Sequence, residues 1–183
     1  MSYKTLIEGC LNDDKQAQKE LYELYKRTLM GICRRYASRK SEAQDIYQEA
    51  FIKIFNNIDQ VEDPVALPGW MKRVVVTTAI THYHKAYIQY SEDDIADNEV
   101  DNNDYQEIMS GMDMKTLLEL INNLPDGYRM VFNMHAIDGY KHAEIAEILA
   151  ISENTSRTQL RKAKTRLKEQ LPGLGIKKFE KYV

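Results

Sequence analysis

Along this chain apolar residues recur at spacings of three and four, and strict alternation is almost absent. That period lays one apolar stripe along a helix and argues against half-buried strands. Asp13 or Asp14 can open a first long helix, whose inward stripe is Ala17, Leu21, Leu24, Tyr25, Thr28, Ile32 and Tyr36. Ser41 and Gln44 then form a capping-box pattern at the head of SEAQDIYQEAFIKIFNNI, with Ala43, Ile46, Tyr47, Ala50, Ile54 and Ile58 inward. The stretch Asp59 to Gly69 holds Pro64 and Pro68 and is predicted to be a loop. A third long helix is predicted from about Trp70 to about Tyr87. It contains the chain's one strand-like run, Val74-Val75-Val76-Thr77-Thr78, whose β-branched residues favour strands on propensity alone. The flanks continue a helical pattern through Trp70, Val74, Thr77 and Thr81, so the run is assigned to a buried helix.

The C-terminal part repeats the pattern in shorter pieces. A helix is predicted from about Met114 to Asn123, another from Pro125 to about Ile137, and a stop at Asp138-Gly139. HAEIAEIL then ends near Ala150, Ile151 packs inward, and Ser152 offers an N-cap to a final helix, ENTSRTQLRKAKTRLKEQL. The expected class is all-α.

Charge divides these helices into two groups. The whole chain of 183 residues has a net charge of -3, yet residues 88–113 carry nine acidic groups and no Lys or Arg. Residues 1–87 sum to +2 and residues 114–183 to +4. Two small helical domains, 1–87 and 114–183, joined by the flexible acidic linker 88–113, are therefore expected. At 43% hydrophobic residues both can bury a core. The longest apolar runs are only a few residues and MSYKTLIEGCLNDD lacks the form of a secretory signal, so a soluble, cytoplasmic protein is expected. Cys10 and Cys33 are too few for a disulfide framework and lack zinc-ligand spacing, which leaves buried free thiols. No metal or cofactor is expected.

Two helices joined by a short turn, the second one basic, are the sequence form of a helix-turn-helix. Leu160, Ala163 and Leu167 share a face suited to packing on Ile145, Ala146 and Leu149. Arg157, Thr158, Arg161 and Lys162 then share another face, which points into a major groove if the first is buried. Arginine suits guanine edges because its planar fork makes two hydrogen bonds at once. Lys164, Arg166 and Lys168 are placed to meet phosphates, adding affinity and salt dependence without reading sequence. On charge and period alone, a merely solvated basic helix remains an alternative.

The segment LPDGYRMVFNMHAIDGYKHAEIAEILAISENTSRTQLRKAKTRL resembles the second promoter-binding domain of bacterial sigma factors of the small, extracytoplasmic-function (ECF) group of the sigma-70 family. In that family the final helix reads the minus-35 element. DIYQEAFIKIF resembles the stretch of the first domain that grips the coiled coil of RNA polymerase's largest subunit, and LPGWMKRVVVTTAITHYHK the loop and helix that melt and capture the minus-10 element. The resemblance spans about residues 5–87 and 114–170. It implies partners: core RNA polymerase, through that coiled coil and the flap of the second-largest subunit; promoter DNA; and an anti-sigma protein. It implies no small-molecule substrate. Polymerase contacts would come from Asp45, Gln48, Glu49 and Lys53, which fall on one polar stripe. Minus-10 contacts would come from Trp70, Arg73, Thr77, Thr81, His84 and Lys85. Thr77, Thr81 and His84 stand where the family usually has Asn, Asp and Arg, so those contacts do not carry over residue for residue. Phe51 and Phe55 fit both a core role and the family's aromatic positions, and core is favoured. Trp70 suits base stacking, but a domain anchor is the commoner use of a lone Trp after a Pro-Gly turn. Lys141, Ala150 and Ser156 depart from a usual small cap, Gly and apolar residue; Ser156 can hydrogen-bond back to a carbonyl, so a modest stability loss is expected.

Two rival classes are weighed against a sigma factor. A helix-turn-helix regulator would use residues 1–87 for sensing or dimerisation, a role that the stripe Asp45, Gln48, Glu49 argues against. An enzyme would need a catalytic constellation. The four histidines, His82, His84, His135 and His142, include one HxH on a helix, where the two side chains point apart, and no Walker loop, HExxH or dinucleotide fingerprint occurs. His82 and His84 are read as surface or DNA-facing residues.

Overall fold

The computed structural model describes residues 2–87 and 114–170, and all regular structure among them is helical. The chain separates into two compact units, Met1–Gln89 and Tyr90–Val183. The acidic segment expected to act as a linker lies outside the described residues.

In the first unit, α1 (Tyr3–Leu11) is a helix that the hydrophobic pattern did not single out. Its buried residues, Leu6, Ile7 and Cys10, keep helical spacing. Ser2 caps it, its hydroxyl accepting the Thr5 N–H at 3.1 Å. A Cβ at Gly9 would stand 2.4 Å from the Ala17 Cβ, so only glycine allows α1 to lie this close to α2 (Lys15–Tyr36). Asp14 is the N-cap of α2, its Oδ1 accepting the Gln16 N–H at 2.9 Å.

The inward stripe of α2 is Ala17, Leu21, Leu29, Ile32, Cys33 and Tyr36. This corrects three expected positions: Leu24 is 55% exposed, Thr28 is exposed and Tyr25 is half-buried. One residue along a helix turns the side chain by about 100°. Leu24 and Thr28 project to the Ala17 edge of the stripe, away from Leu29 and Cys33, although both fit a loose three-and-four rhythm.

In α3 (Lys40–Asn56) every expected inward residue is buried, Ile58 follows just beyond it, and Phe51 joins the core. The Ser41 and Gln44 capping box does not form. The helix starts earlier, after Arg39, and the Glu42 carboxylate accepts the Ser38 N–H at 2.7 Å. Two short 3-10 turns, Ile58–Gln60 and Pro64–Ala66, precede α4 (Leu67–Tyr87), which begins inside the expected loop. Pro68 is tolerated because N–H groups in a helix's first turn have no intrahelical partner to lose.

The β-branched run is helical, as expected, but its inward face is different. Met71, Val75, Val76, Thr78, Ala79 and Ile80 are buried, Trp70 and Val74 are half-buried, and Thr77 and Thr81 are exposed. The threonines avoid unpaired hydroxyls by bonding back into the helix: Thr78 donates to the Val74 carbonyl at 2.8 Å and Thr81 to that of Thr77 at 2.9 Å. The helices α2, α3 and α4 pack mutually. Cys10 and Cys33 are buried free thiols, and burial pushes Cys33 up to about 12.

The second unit contains α5 (Met114–Asn122), α6 (Asp126–Phe132), a π turn at Asn133–Ile137, α7 (His142–Leu149) and α8 (Glu153–Gln170). Its core gathers Ile121, Met130, Phe132, Met134, Ile145 and Ala163. Arg129 is only 2% exposed, and its charge is compensated by bonds to the Leu124 carbonyl (3.1 Å) and the Asp126 carboxylate (2.6 Å). Gly139, two residues past the π turn, has φ 81° and matches the expected stop at Asp138-Gly139. Ala150 closes α7 at φ 54°, a left-handed backbone that disfavours a Cβ. Ala150→Gly is therefore expected to stabilise the chain by about 0.5–1 kcal/mol, the relieved strain exceeding the extra freedom glycine has when unfolded. A raised Tm in thermal unfolding checks this, and a lowered one contradicts it.

Candidate nucleic-acid interface

The helix-turn-helix is built by α7, the turn at Ala150–Ser152, and α8. Ser152 caps α8 by accepting the Thr155 N–H at 2.9 Å. Leu160, Ala163 and Leu167 are buried where α8 meets its neighbours; Ile145 and Leu149 of α7 are also buried, with Ala146 half-buried. The other side of α8 carries the expected readers. Arg157 is exposed, and Thr158, Arg161 and Lys162 are partly so. Arg166 and Lys168 are exposed, while Lys164 is half-buried and burial lowers its ammonium from the usual lysine range. Arg157 Nη2 donates to Glu153 Oε2 at 2.6 Å, one turn earlier on the same helix. An exposed pair of this kind is worth at most about 1 kcal/mol, so an acceptor on DNA can take the guanidinium over.

Ser156 is fully buried, and its hydroxyl partner is a side chain of α7 in place of a backbone carbonyl. Its Oγ lies 2.9 Å from His142 Nδ1. The imidazole of His142 stacks on that of His135, with centroids 4.2 Å apart and planes at 16°. His135 Nδ1 donates to the Tyr140 carbonyl at 2.8 Å. Burial, then the neighbouring His135 and Arg157, push His142 down to about 4, so the ring is neutral near pH 7. The sequence pattern does not reveal this cluster, because helical periodicity says nothing of which side chains on different helices meet. A serine on the inward line of an otherwise apolar stripe was the signal for it.

Since His142 binds its proton more weakly folded than unfolded, protonation favours the unfolded chain. The stability tied to this ring is present above about pH 6.5 and is lost as pH falls from there towards 4. Melts across this window should show a steeper loss for the native chain than for His142→Gln. Parallel curves would remove the ring from the acid response.

In the first unit, α3 presents Asp45 and Gln48 exposed, with Glu49 and Lys53 partly buried between helices. Lys53 Nζ lies 2.7 Å from Glu49 Oε1, and His82 Nε2 of α4 donates to Oε2 at 2.8 Å. These bonds, that of Lys53 first, hold the Glu49 carboxyl below its usual range. Lys53 also reaches the buried Thr78 hydroxyl at 3.3 Å. Half of the polar stripe thus braces α3 against α4. The pattern also missed Ile52, which is 61% exposed on the Asp45–Gln48 side. Phe51 is core, in a cluster with Tyr22, Tyr47 and Phe55.

On α4, Trp70, Arg73, Thr77, Thr81, His84 and Lys85 follow at spacings that keep them on one side of the helix, each exposed or half-buried. His82 points elsewhere, into the Glu49 pair. Among the described residues no group of three or more His, Cys, Asp or Glu is placed to hold a metal, and no helix is long and apolar enough to cross a membrane.

Comparison with known proteins identifies both units. The model of sigma-70 region 2 matches residues 21–87, and that of sigma-70 region 4 matches residues 114–167. The chain is 30% identical to the ECF RNA polymerase sigma factor SigW of Bacillus subtilis, over 95% of this chain and 99% of that protein. It is 24% identical to the ECF RNA polymerase sigma-E factor of Haemophilus influenzae, over 93% and 96%. Among solved structures it is similar to CnrH in complex with the cytosolic domain of CnrY, at 17% identity and a TM-score of 0.48, covering 92% and 96%. A match to region 2 across the first unit disfavours a regulator with an unrelated sensory domain. The chain belongs to the ECF group of the sigma-70 family: it is a promoter-recognising RNA polymerase sigma factor.

Proposed function

We propose that the chain works by dividing recognition between its units and performs no catalysis itself. Residues 1–87 dock on the coiled coil of the largest polymerase subunit through Asp45 and Gln48, with Glu49 and Lys53 setting the edge of that face. The exposed side of α4 (Trp70, Arg73, Thr77, Thr81, His84, Lys85) holds minus-10 bases drawn from the stack. Residues 114–183 place α8 in the major groove of the minus-35 element, where Arg157, Thr158, Arg161 and Lys162 read bases and Lys164, Arg166 and Lys168 hold phosphates. This unit also meets the flap of the second-largest subunit.

The acidic segment 88–113 imitates RNA in the polymerase exit path. An anti-sigma protein holds the factor in reserve in the cytoplasm. The observation that carries this reading is the geometry of α8: an apolar side buried on its own unit and an opposite side lined with cations. Titrating core polymerase with the purified chain tests it. A saturable one-to-one complex is expected, and no complex would leave a DNA-binding protein without the polymerase role.

A further inference from the structure

We propose that His142 and Ser156 are positioning residues for minus-35 recognition: their hydrogen bond fixes the rotation of α8 so that Arg157 and Arg161 meet base edges in register. The proposal rests on α8 being the minus-35 helix. Ser156 immediately precedes Arg157, yet it is fully buried, so it touches no DNA and acts from beneath the reading face. Its partner is the first residue of α7, and that ring is itself held on its flat side by His135. The Tyr140 carbonyl can only accept, so His135 Nδ1 carries a proton and the orientation of its ring is fixed. One chain of contacts thereby ties the π turn, α7 and the first turns of α8.

The buried contacts Leu160, Ala163 and Leu167 bind α8 strongly, but apolar contact is non-directional and permits a small roll. A guanidinium at the helix surface stands roughly 5–6 Å from the axis, so a roll of about 20° carries it about 2 Å. That displacement exceeds the tolerance of a hydrogen bond, and a two-bond contact to guanine is lost. A directional bond one residue before Arg157 removes this freedom. His135 lies in the π turn, and its ring stacks on that of His142.

The test uses holoenzyme assembled from core polymerase and the full chain, binding promoter duplexes whose minus-35 element is intact or scrambled. Ser156→Ala and His142→Ala are each expected to lower the intact-to-scrambled affinity ratio about tenfold, leaving affinity for the scrambled duplex within about twofold. The double variant should be no worse than either single one, because both remove the same bond. His142→Asn, which keeps a polar group near the position of Nδ1, should recover most of the ratio. Thermal melts of Ser156→Ala verify that the unit remains folded. An unchanged ratio, equal losses on both duplexes, or additive losses would overturn the positioning role. A native holoenzyme that does not distinguish the two duplexes would instead overturn the minus-35 reading beneath it, and the inference with it.

Discussion

Replacing Arg161 by Ala is expected to weaken binding to an intact minus-35 duplex by about 1–3 kcal/mol, roughly five- to 150-fold, with little change on scrambled DNA. Arg161 lies one turn beyond Arg157 on the side of α8 opposite the buried Leu160, Ala163 and Leu167. A guanidinium there can place two donors on one guanine, which no other base offers in the same arrangement. Removing it takes away discrimination as well as attraction. Arg166 is exposed further along the same helix, where a phosphate is the expected partner. Its replacement should instead weaken both duplexes alike and reduce the salt dependence. Equal loss on both duplexes for Arg161→Ala would make Arg161 a phosphate contact.

The second large effect is expected at α3. Replacing Asp45 and Gln48 together by Ala should cost about 2 kcal/mol of affinity for core polymerase, some thirtyfold, as central interface residues do. Both side chains are exposed, so the chain's own stability should move by no more than about 0.5 kcal/mol. Glu49 is a poorer choice of probe. Its loss would strand Lys53 and His82 and disturb the packing of α3 on α4, mixing a folding defect with a docking defect. Competition between the variant and native chain for limiting core polymerase reads the effect directly. Equal occupancy at equal concentration would remove the docking assignment.

Much of this architecture is legible in the residues because helices write their buried face into the period of the chain. α3 is the clearest case: Ala43, Ile46, Tyr47, Ala50 and Ile54 are all buried as expected. The α7–α8 turn is equally plain, with Ser152 capping and an apolar seam at Leu160, Ala163 and Leu167, and Gly139 at a positive φ marks the stop before α7. Threonine obscured the pattern in α4. Its methyl counts as apolar and its hydroxyl can return to the helix, so Thr77 and Thr81 fitted an inward stripe although both are exposed. Gly9 signals the close approach of α1 to α2 only once Ala17 is known to face it.

The polar connections were the least legible. No periodicity announces that Glu49 faces His82, thirty-three residues away, or that His142 meets Ser156, fourteen residues away. Such pairs depend on how helices cross, which is a tertiary property. Both bear on the proposed sites: one braces α3 against α4, and the other lies beneath the exposed cationic side of α8.

Transcription in vitro, with purified core polymerase, the purified chain and fragments of the source genome, tests the central claim most directly. Transcripts with discrete 5′ ends, each downstream of a shared pair of upstream elements, are the predicted result. Output no different from that of core polymerase alone, with no inhibitory protein present, would contradict the account.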